Sequence, residues 1–275
     1  MTTWVLHTDV STDEVNLHLA ALEAAGLLGI AEESGQARIY LPRRCADLPL
    51  AGRWEQVADL DWNQAWKAGI EPVTVGVVRI VPPWLAGDAD GAAVTLVIEL
   101  VIEPAQAFGT GHHETTTSCL AALQRLDLSG RRVLDVGTGT GVLALAAARL
   151  GAGEVVAVDT DPVAVATALG NGERNGLHLD VRHGSIEAAG AQTFDVVVAN
   201  LDTATLVGLA AALPARLHDG GVLIAAGVSV QRQGEAVSAL QAAGLAVGAH
   251  PGREWTLLMG RRASATPPAS AEVPG

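Results

Sequence analysis

Val133-Leu-Asp-Val-Gly-Thr-Gly-Thr-Gly-Val-Leu-Ala-Leu145 decides the fold. Val133 to Val136 reads as a buried strand and Val142 onward as a helix. Between them Gly137, Gly139 and Gly141 form a turn with no side chains in the way, so a bulky ligand can lie against bare backbone. Further on, Glu154-Val-Val-Ala-Val-Asp159 reads as a second strand ending in a carboxylate. A glycine turn after one strand and an acid at the tip of the next is how a doubly wound sheet grips an adenosine ribose. The chain therefore reads as binding a nucleoside cofactor.

The glycines are spaced Gly-x-Gly-x-Gly, not the Gly-x-Gly-x-x-Gly that seats a dinucleotide pyrophosphate on a helix N-terminus. Asp135-x-Gly-x-Gly-x-Gly141 resembles the first motif of the class I S-adenosylmethionine-dependent methyltransferases, and the turn taken alone leaves a nicotinamide cofactor as the alternative. On either side of it, strand and helix alternate. Strands are expected at 133–136, 154–159, 178–183, 194–200 and 221–226, and helices at about 141–150, 162–174 and 203–217. Pro162 sits just inside its helix, with Asp161 placed to cap it. Such alternation demands a parallel sheet covered on both faces. Two further strands near 245–250 and 254–260, joined around Pro251-Gly252, predict an antiparallel pair at the sheet edge. The expected fold is α/β: a Rossmann-like, mostly parallel sheet with an antiparallel edge strand, plus a small N-terminal α+β domain.

That smaller module reads as strand 3–10, an amphipathic helix from Asp13 to Leu28, and short strands at 29–34 and 37–41. Trp62 and Trp66, four apart, mark a connecting segment suited to domain docking. The expected organisation is thus a substrate-recognition domain at 1–58, a connector at 59–70, a cofactor-binding domain at 71–262 and a disordered tail at 263–275 rich in Ala, Ser and Pro. Leu96-Val-Ile-Glu-Leu-Val-Ile-Glu103 contains a near-duplicate for which the sequence offers only a longer strand or a local insertion.

With 275 residues, 49% hydrophobic and 17% charged, the chain has ample material for a core and is not disordered. No apolar run long enough for a membrane span and no basic, apolar secretory start are legible. The two cysteines, Cys45 and Cys119, fit a reducing cytoplasm. Thirty acidic residues against 17 basic ones give a net charge of −13. Phosphate contacts dominate nucleic-acid affinity, so this balance argues against direct nucleic-acid binding. It suits a basic partner or a small molecule, or simply solubility.

Two more stretches carry chemistry. Phe194-Asp-Val-Val-Val-Ala-Asn200-Leu201 puts an amide at the tip of a strand, where ligands bind in open α/β sheets. Asn200 can accept hydrogen bonds from an incoming amine, or can serve only as a turn residue. Amino methyltransferases often have Asn-Pro-Pro-Tyr at this position. Leu201-Asp202 stands in place of the prolines here, and the aromatic wall of that motif is missing. Ala107-Phe-Gly-Thr-Gly-His-His-Glu-Thr-Thr-Thr117 lies directly before a helix, and Thr115 or Thr116 can cap that helix or bond to a ligand carboxylate. His112, His113 and Glu114 lack a partner ligand at suitable spacing, so no metal is expected. Asp135 is suited either to supporting the turn or to reaching a cofactor ammonium.

Together, Glu103-Pro104, the Phe108-Gly-Thr-Gly-x-His-x-Thr-Thr116 run, the glycine turn and Val198-Ala-Asn-Leu201 resemble the bacterial ribosomal protein methyltransferases of the PrmA type, over most of the chain. The resemblance implies S-adenosylmethionine as cofactor. It also implies N-methylation of lysine side chains and the α-amino group of a basic ribosomal protein, the large-subunit stalk-base protein, by a cytoplasmic monomer. By the same resemblance Phe108, Thr110, His113 and Thr116 help enclose the cofactor. Gly137 and Gly139 admit its methionyl portion, Asp159 holds its ribose, and Asn200 both borders the cofactor and orients the amine beside it. Many members have Thr-His-Pro where this chain has His112-His113-Glu114, which leaves Glu114 without a role. The competing readings are a methyltransferase for a small amine or an RNA base, and a nucleoside-binding module without catalysis.

Overall fold

The computed structural model describes residues 3–10, 15, 18–33, 36–45, 47–57, 71–86, 98–102 and 113–262. The chain forms two compact units, Met1–Glu71 and Pro72–Gly275. The expected tryptophan connector and C-terminal tail lie outside the described residues.

In the first unit, strands β1 (Thr3–His7), β2 (Gly29–Glu33), β3 (Gln36–Leu41) and β4 (Arg53–Val57) form an antiparallel sheet of order β2-β3-β1-β4. Ala37, Ile39 and Leu41 alternate onto one face of β3 and pack with Leu6 and Leu22. Helix α1 (Leu19–Ala24) ends before the expected Leu28. The chain turns at Gly26, and the Leu28 amide already donates to the Tyr40 carbonyl of the sheet. Strand β4 was not legible: a segment containing Trp54 and two glutamyl or glutaminyl residues lacks a clear alternating pattern, and only its pairing with β1 makes it a strand.

The second unit opens with a three-stranded sheet of β5 (Val73–Val75), β6 (Val78–Val81) and β7 (Ile98–Val101). Strand β7 falls inside the duplicated Leu-Val-Ile-Glu segment. The rest is a seven-stranded sheet of β8 (Arg132–Val136), β9 (Glu154–Asp159), β10 (Asp180–His183), β11 (Phe194–Asn200), β12 (Leu217–Ser229), β13 (Leu245–Pro251) and β14 (Trp255–Arg262). Its order is β10-β9-β8-β11-β12-β14-β13, parallel from β10 to β12. The expected antiparallel pair is present, with β14 between β12 and β13.

Helices α2 (Glu114–Leu123), α3 (Val142–Arg149), α4 (Pro162–Arg174), α5 (Thr203–Leu209), α6 (Leu213–Arg216) and α7 (Gln233–Ala242) accompany this sheet. Successive strand residues serve opposite cores. Val133, Val196, Val198 and Ile224 pack with α2 and α3, whereas Leu134, Val197, Ala199 and Leu223 pack with α5 and α7. Burial on both faces is why these strands read as continuous apolar runs. The single helix expected at 203–217 is two, because Pro214 cannot sit inside a helix and instead occupies the first turn of α6. Helix α7 was not foreseen; only Ala236 and Leu240 of it are buried, too sparse a stripe to signal a helix. Among the described residues no helix is long and apolar enough to cross a membrane.

Candidate active site

The chain builds outward from β8 through β9 to β10, then returns to lay β11 on the other side of β8. That reversal opens a crevice beyond the carboxyl ends of β8 and β11, where doubly wound sheets bind ligands. A cavity of about 600 Å³ occupies it. This lies within the ~300–1,000 Å³ typical of small-molecule and cofactor sites. His113, Thr116, Gly137, Gly139, Asp159 and Asn200 all line it. Phe108 and Thr110 lie outside the described residues.

The glycine turn is held from three sides. The amides of Gly137 and Thr138 both donate to the Val158 carbonyl, at 2.9 and 3.1 Å, and the Gly139 amide donates to Asp159 Oδ2 at 2.9 Å. Asp159 Oδ1 accepts from the Asp161 amide at 2.9 Å, and Asp161 caps α4 through the Val163 amide, as expected. Gly137 has φ +72°, and a Cβ there would fall 2.4 Å from Leu201 Cδ2. Only glycine combines that backbone with that close an approach.

Beneath the turn, Asp135 is buried and does not line the cavity. Its Oδ2 accepts from Thr138 Oγ1 at 2.7 Å and from the Ala144 amide at 3.2 Å. These are the bonds of turn support, the first of the two roles open to it. Burial pushes its carboxyl up to about 6 against the pull of those two bonds, and the Asp159 carboxylate pushes the same way.

On the opposite wall, His113 is the N-cap of α2, correcting the expectation that Thr115 or Thr116 would serve. Its Nδ1 accepts from the Thr115 amide at 3.4 Å and lies 2.8 Å from Thr115 Oγ1. Thr116 Oγ1 instead accepts from Asn200 Nδ2 at 3.3 Å, which orients the amide at the tip of β11. Glu114 has a structural use: its Oε1 accepts from the Arg253 amide at 2.9 Å, tying α2 to the β13–β14 turn.

Trp255 was missed. It begins β14, lines the cavity, and meets His113 edge-on with centroids 5.2 Å apart. An aromatic side chain thus borders the cavity, contributed by a strand distant in sequence and not by the Asn200-Leu201-Asp202 stretch. Its only signal was a tryptophan just after the turn Pro251-Gly252. Among the described residues, no cluster of His, Cys, Asp and Glu is arranged to hold a metal ion.

A mostly parallel seven-stranded sheet with β14 inserted antiparallel beside β12, and a glycine turn facing an acid-tipped strand, define a class I methyltransferase. Residues 9–263 match the sequence model of the ribosomal protein L11 methyltransferase (PrmA) family, and the chain belongs to that family. The ribosomal protein L11 methyltransferase of Deinococcus radiodurans is 39% identical over 270 residues, covering 92% of this chain and 96% of the relative. That of Thermus thermophilus is 37% identical over 230 residues, covering 83% and 87%. The crystal structure of a ribosomal protein L11 methylase from Lactobacillus delbrueckii subsp. bulgaricus superposes with a TM-score of 0.64 at 27% identity, covering 70% of this chain and all of that one.

Proposed function

We propose that the chain transfers methyl groups from S-adenosylmethionine to amines of ribosomal protein L11, both lysine side chains and the α-amino group. The observation that carries this reading is the meeting of Asn200 with Asp159 and the Gly137–Gly139 turn around one cavity. The residues present fit the cofactor. Asp159 has about four lone-pair positions and spends two on backbone amides, which leaves two for ribose hydroxyls. The bare faces of Gly137 and Gly139 suit the methionyl chain. His113 and Thr116 close the site from α2, and Phe108 and Thr110 are assigned to the same enclosure by family resemblance.

When bound, S-adenosylmethionine supplies a methyl group already activated by its sulfonium. The protein's task is then alignment and desolvation of a neutral amine. A lysine ammonium of pKa ~10.4 must first lose a proton; desolvation against Leu201, Val136 and Trp255, together with the positive charge a bound sulfonium would bring, favours that loss against the pull of the carboxylates at the cavity's rim. Asn200 Nδ2 is engaged by Thr116, so Oδ1 accepts from the amine and points its lone pair at the methyl carbon. Asp159 and the Gly137–Gly139 turn would hold the cofactor, which would supply its methyl group to the amine, the N–C bond forming as the C–S bond breaks and its electron pair staying on sulfur. The surplus amine proton passes to solvent.

Asp159, Asp161 and Asp202 around the cavity, on a chain of net charge −13, favour a basic stalk-base protein over nucleic acid. The first unit is assigned to substrate recognition, and the enzyme to the cytoplasm, where it acts as a monomer. Incubating the protein with methyl-labelled S-adenosylmethionine and purified L11 tests the reading. Label should appear on L11 lysines and its N-terminus, and an unlabelled L11 would refute it. A truncated chain starting at Pro72 should bind S-adenosylmethionine yet leave L11 unmodified. Methylation at the full rate by that chain would remove the recognition role from the first unit.

A further inference from the structure

Leu201 sits between two glycines that are distant in sequence. On one side its Cδ2 occupies the space where a Cβ on Gly137 would stand, 2.4 Å away. On the other, a Cβ on Gly227 would fall 2.2 Å from the Leu201 carbonyl oxygen and 2.7 Å from its carbonyl carbon. Real Cβ atoms do not approach backbone so closely, so any side chain at 227 would push the Leu201 peptide away. Gly227 has φ +84° and lies where the pairing of β12 with β14 shifts register, between Ala225 and Val228. A bulge of this kind bends a strand and commonly marks a re-aimed segment beside an active site. Just before it, the Ala226 carbonyl accepts from the Leu201 amide at 3.0 Å. Both Leu201 and Gly227 line the cavity.

We propose that Gly227 is a positioning residue for methyl transfer. It vacates the space that the Leu201 peptide fills, which seats the Leu201 side chain over Gly137 and so sets Asn200 at a defined place beside the cofactor turn. The main chain of residues 200–201 is thereby held by contact on both sides: Ala226–Gly227 of β12 on one, the β8 turn on the other. The inference rests on the methyltransferase reading above, because only there does the placement of Asn200 against the turn govern a rate. Gly227 itself touches no reacting atom; it acts through Leu201.

The test compares Gly227→Ala with Gly220→Ala. Gly220 lies in the same strand with φ +80°, but a Cβ there meets open space. Both variants carry the left-handed backbone strain of a non-glycine residue, and only the first adds the clash with Leu201. Thermal midpoint, calorimetric binding of S-adenosylhomocysteine, single-turnover transfer to L11, and the crystal structure of each variant are measured beside the wild type. Gly227→Ala should lose more stability than Gly220→Ala, because it alone carries the clash; both should bind S-adenosylhomocysteine within about three-fold of wild type, while Gly227→Ala alone slows transfer by roughly ten- to a hundred-fold, the scale of a misplaced reactive group. Transfer by Gly227→Ala at the Gly220→Ala rate would overturn the proposal, as would a loss confined to cofactor binding. A wild type that leaves L11 unmodified refutes the substrate reading instead. In that case the crystal structures decide the positioning claim, and a Leu201 carbonyl unmoved in Gly227→Ala refutes it. If Gly227→Ala does not fold, Leu201→Ala takes its place: it removes no polar atom, yet should slow transfer at least about ten-fold with cofactor affinity changed less. Normal transfer by Leu201→Ala overturns the proposal.

Discussion

The Gly139 amide donates to Asp159 Oδ2 at 2.9 Å, joining the turn after β8 to the tip of β9. One carboxylate thus shapes the cofactor turn and faces the cavity that the turn borders. Asp159→Ala removes both this bond and the acceptors proposed for the ribose. Hydrogen bonds to a charged group are worth ~1.5–3 kcal/mol each. Calorimetry with S-adenosylhomocysteine should therefore show affinity falling by at least about ten-fold. Unchanged affinity would place the ribose elsewhere.

Asn200→Ala leaves the glycine turn and Asp159 untouched, so its loss should fall mainly on transfer, with cofactor affinity changed much less. A single positioning acceptor removed from the reacting amine should slow turnover by roughly ten- to a thousand-fold. Asn200→Asp should keep part of the rate, since a carboxylate also accepts amine hydrogens. Single-turnover kinetics with a parallel cofactor titration separates the two effects. Normal turnover in Asn200→Ala would leave the residue as a strand-end turn only.

Asp135 makes turn stability depend on pH. Its carboxyl stands at about 6 in the folded chain, above the ordinary 3.8, so the folded state binds its proton more tightly than the unfolded one. Its contribution is full below about pH 4 and is lost as pH rises through about 6. Denaturant midpoints across that range should fall for wild type and stay flatter for Asp135→Asn, which keeps an acceptor but cannot ionise. Asp135→Ala leaves the Thr138 hydroxyl and Ala144 amide without their partner and should cost about 1–3 kcal/mol. Matching pH profiles for wild type and Asp135→Asn would contradict this account.

At the opposite end of the sheet, His218 Nε2 lies 2.7 Å from Asp195 Oδ1, and its Nδ1 lies 2.6 Å from the Asp219 carbonyl. Both partners accept, so both ring nitrogens donate and the imidazolium is favoured. The Asp195 carboxylate raises the His218 pKa most, with the Asp219 carbonyl adding to it. Burial pulls Asp195 upward, but bonds from the Arg132 amide, Arg131 and His218 outweigh it and hold the carboxyl at about 2. The His218 contribution is full below about pH 6.5 and is lost above it; that of Asp195 is full above about pH 4 and is lost toward pH 2. His218→Gln should remove the stability loss that sets in as pH rises above about 6.5, while leaving the acid limb. An unchanged alkaline limb in that variant would refute the assignment.

What could be read without coordinates was whatever is local along the chain. The turn from Val133 to Leu145, the acid ending Glu154–Asp159, the Asp161-Pro162 helix start and the apolar run to Asn200 each carry their signal in neighbouring residues, through φ preference, capping or burial on both faces. The alternation of these segments was enough to require a parallel sheet with an antiparallel edge pair. Tertiary structure decided everything that depends on contact across the chain. Strand β4 exists because β1 offers it an edge, and α7 because two residues find a core. Trp255 meets His113 because β14 runs beside β12, and Thr116 holds Asn200 across a gap no spacing rule spans. Leu201 is clasped by Gly137 and Gly227 only after three strands have been laid side by side. A sequence records the preference of each residue for its own backbone state; which distant side chains share a cavity is set by the packing of the sheet that brings them together.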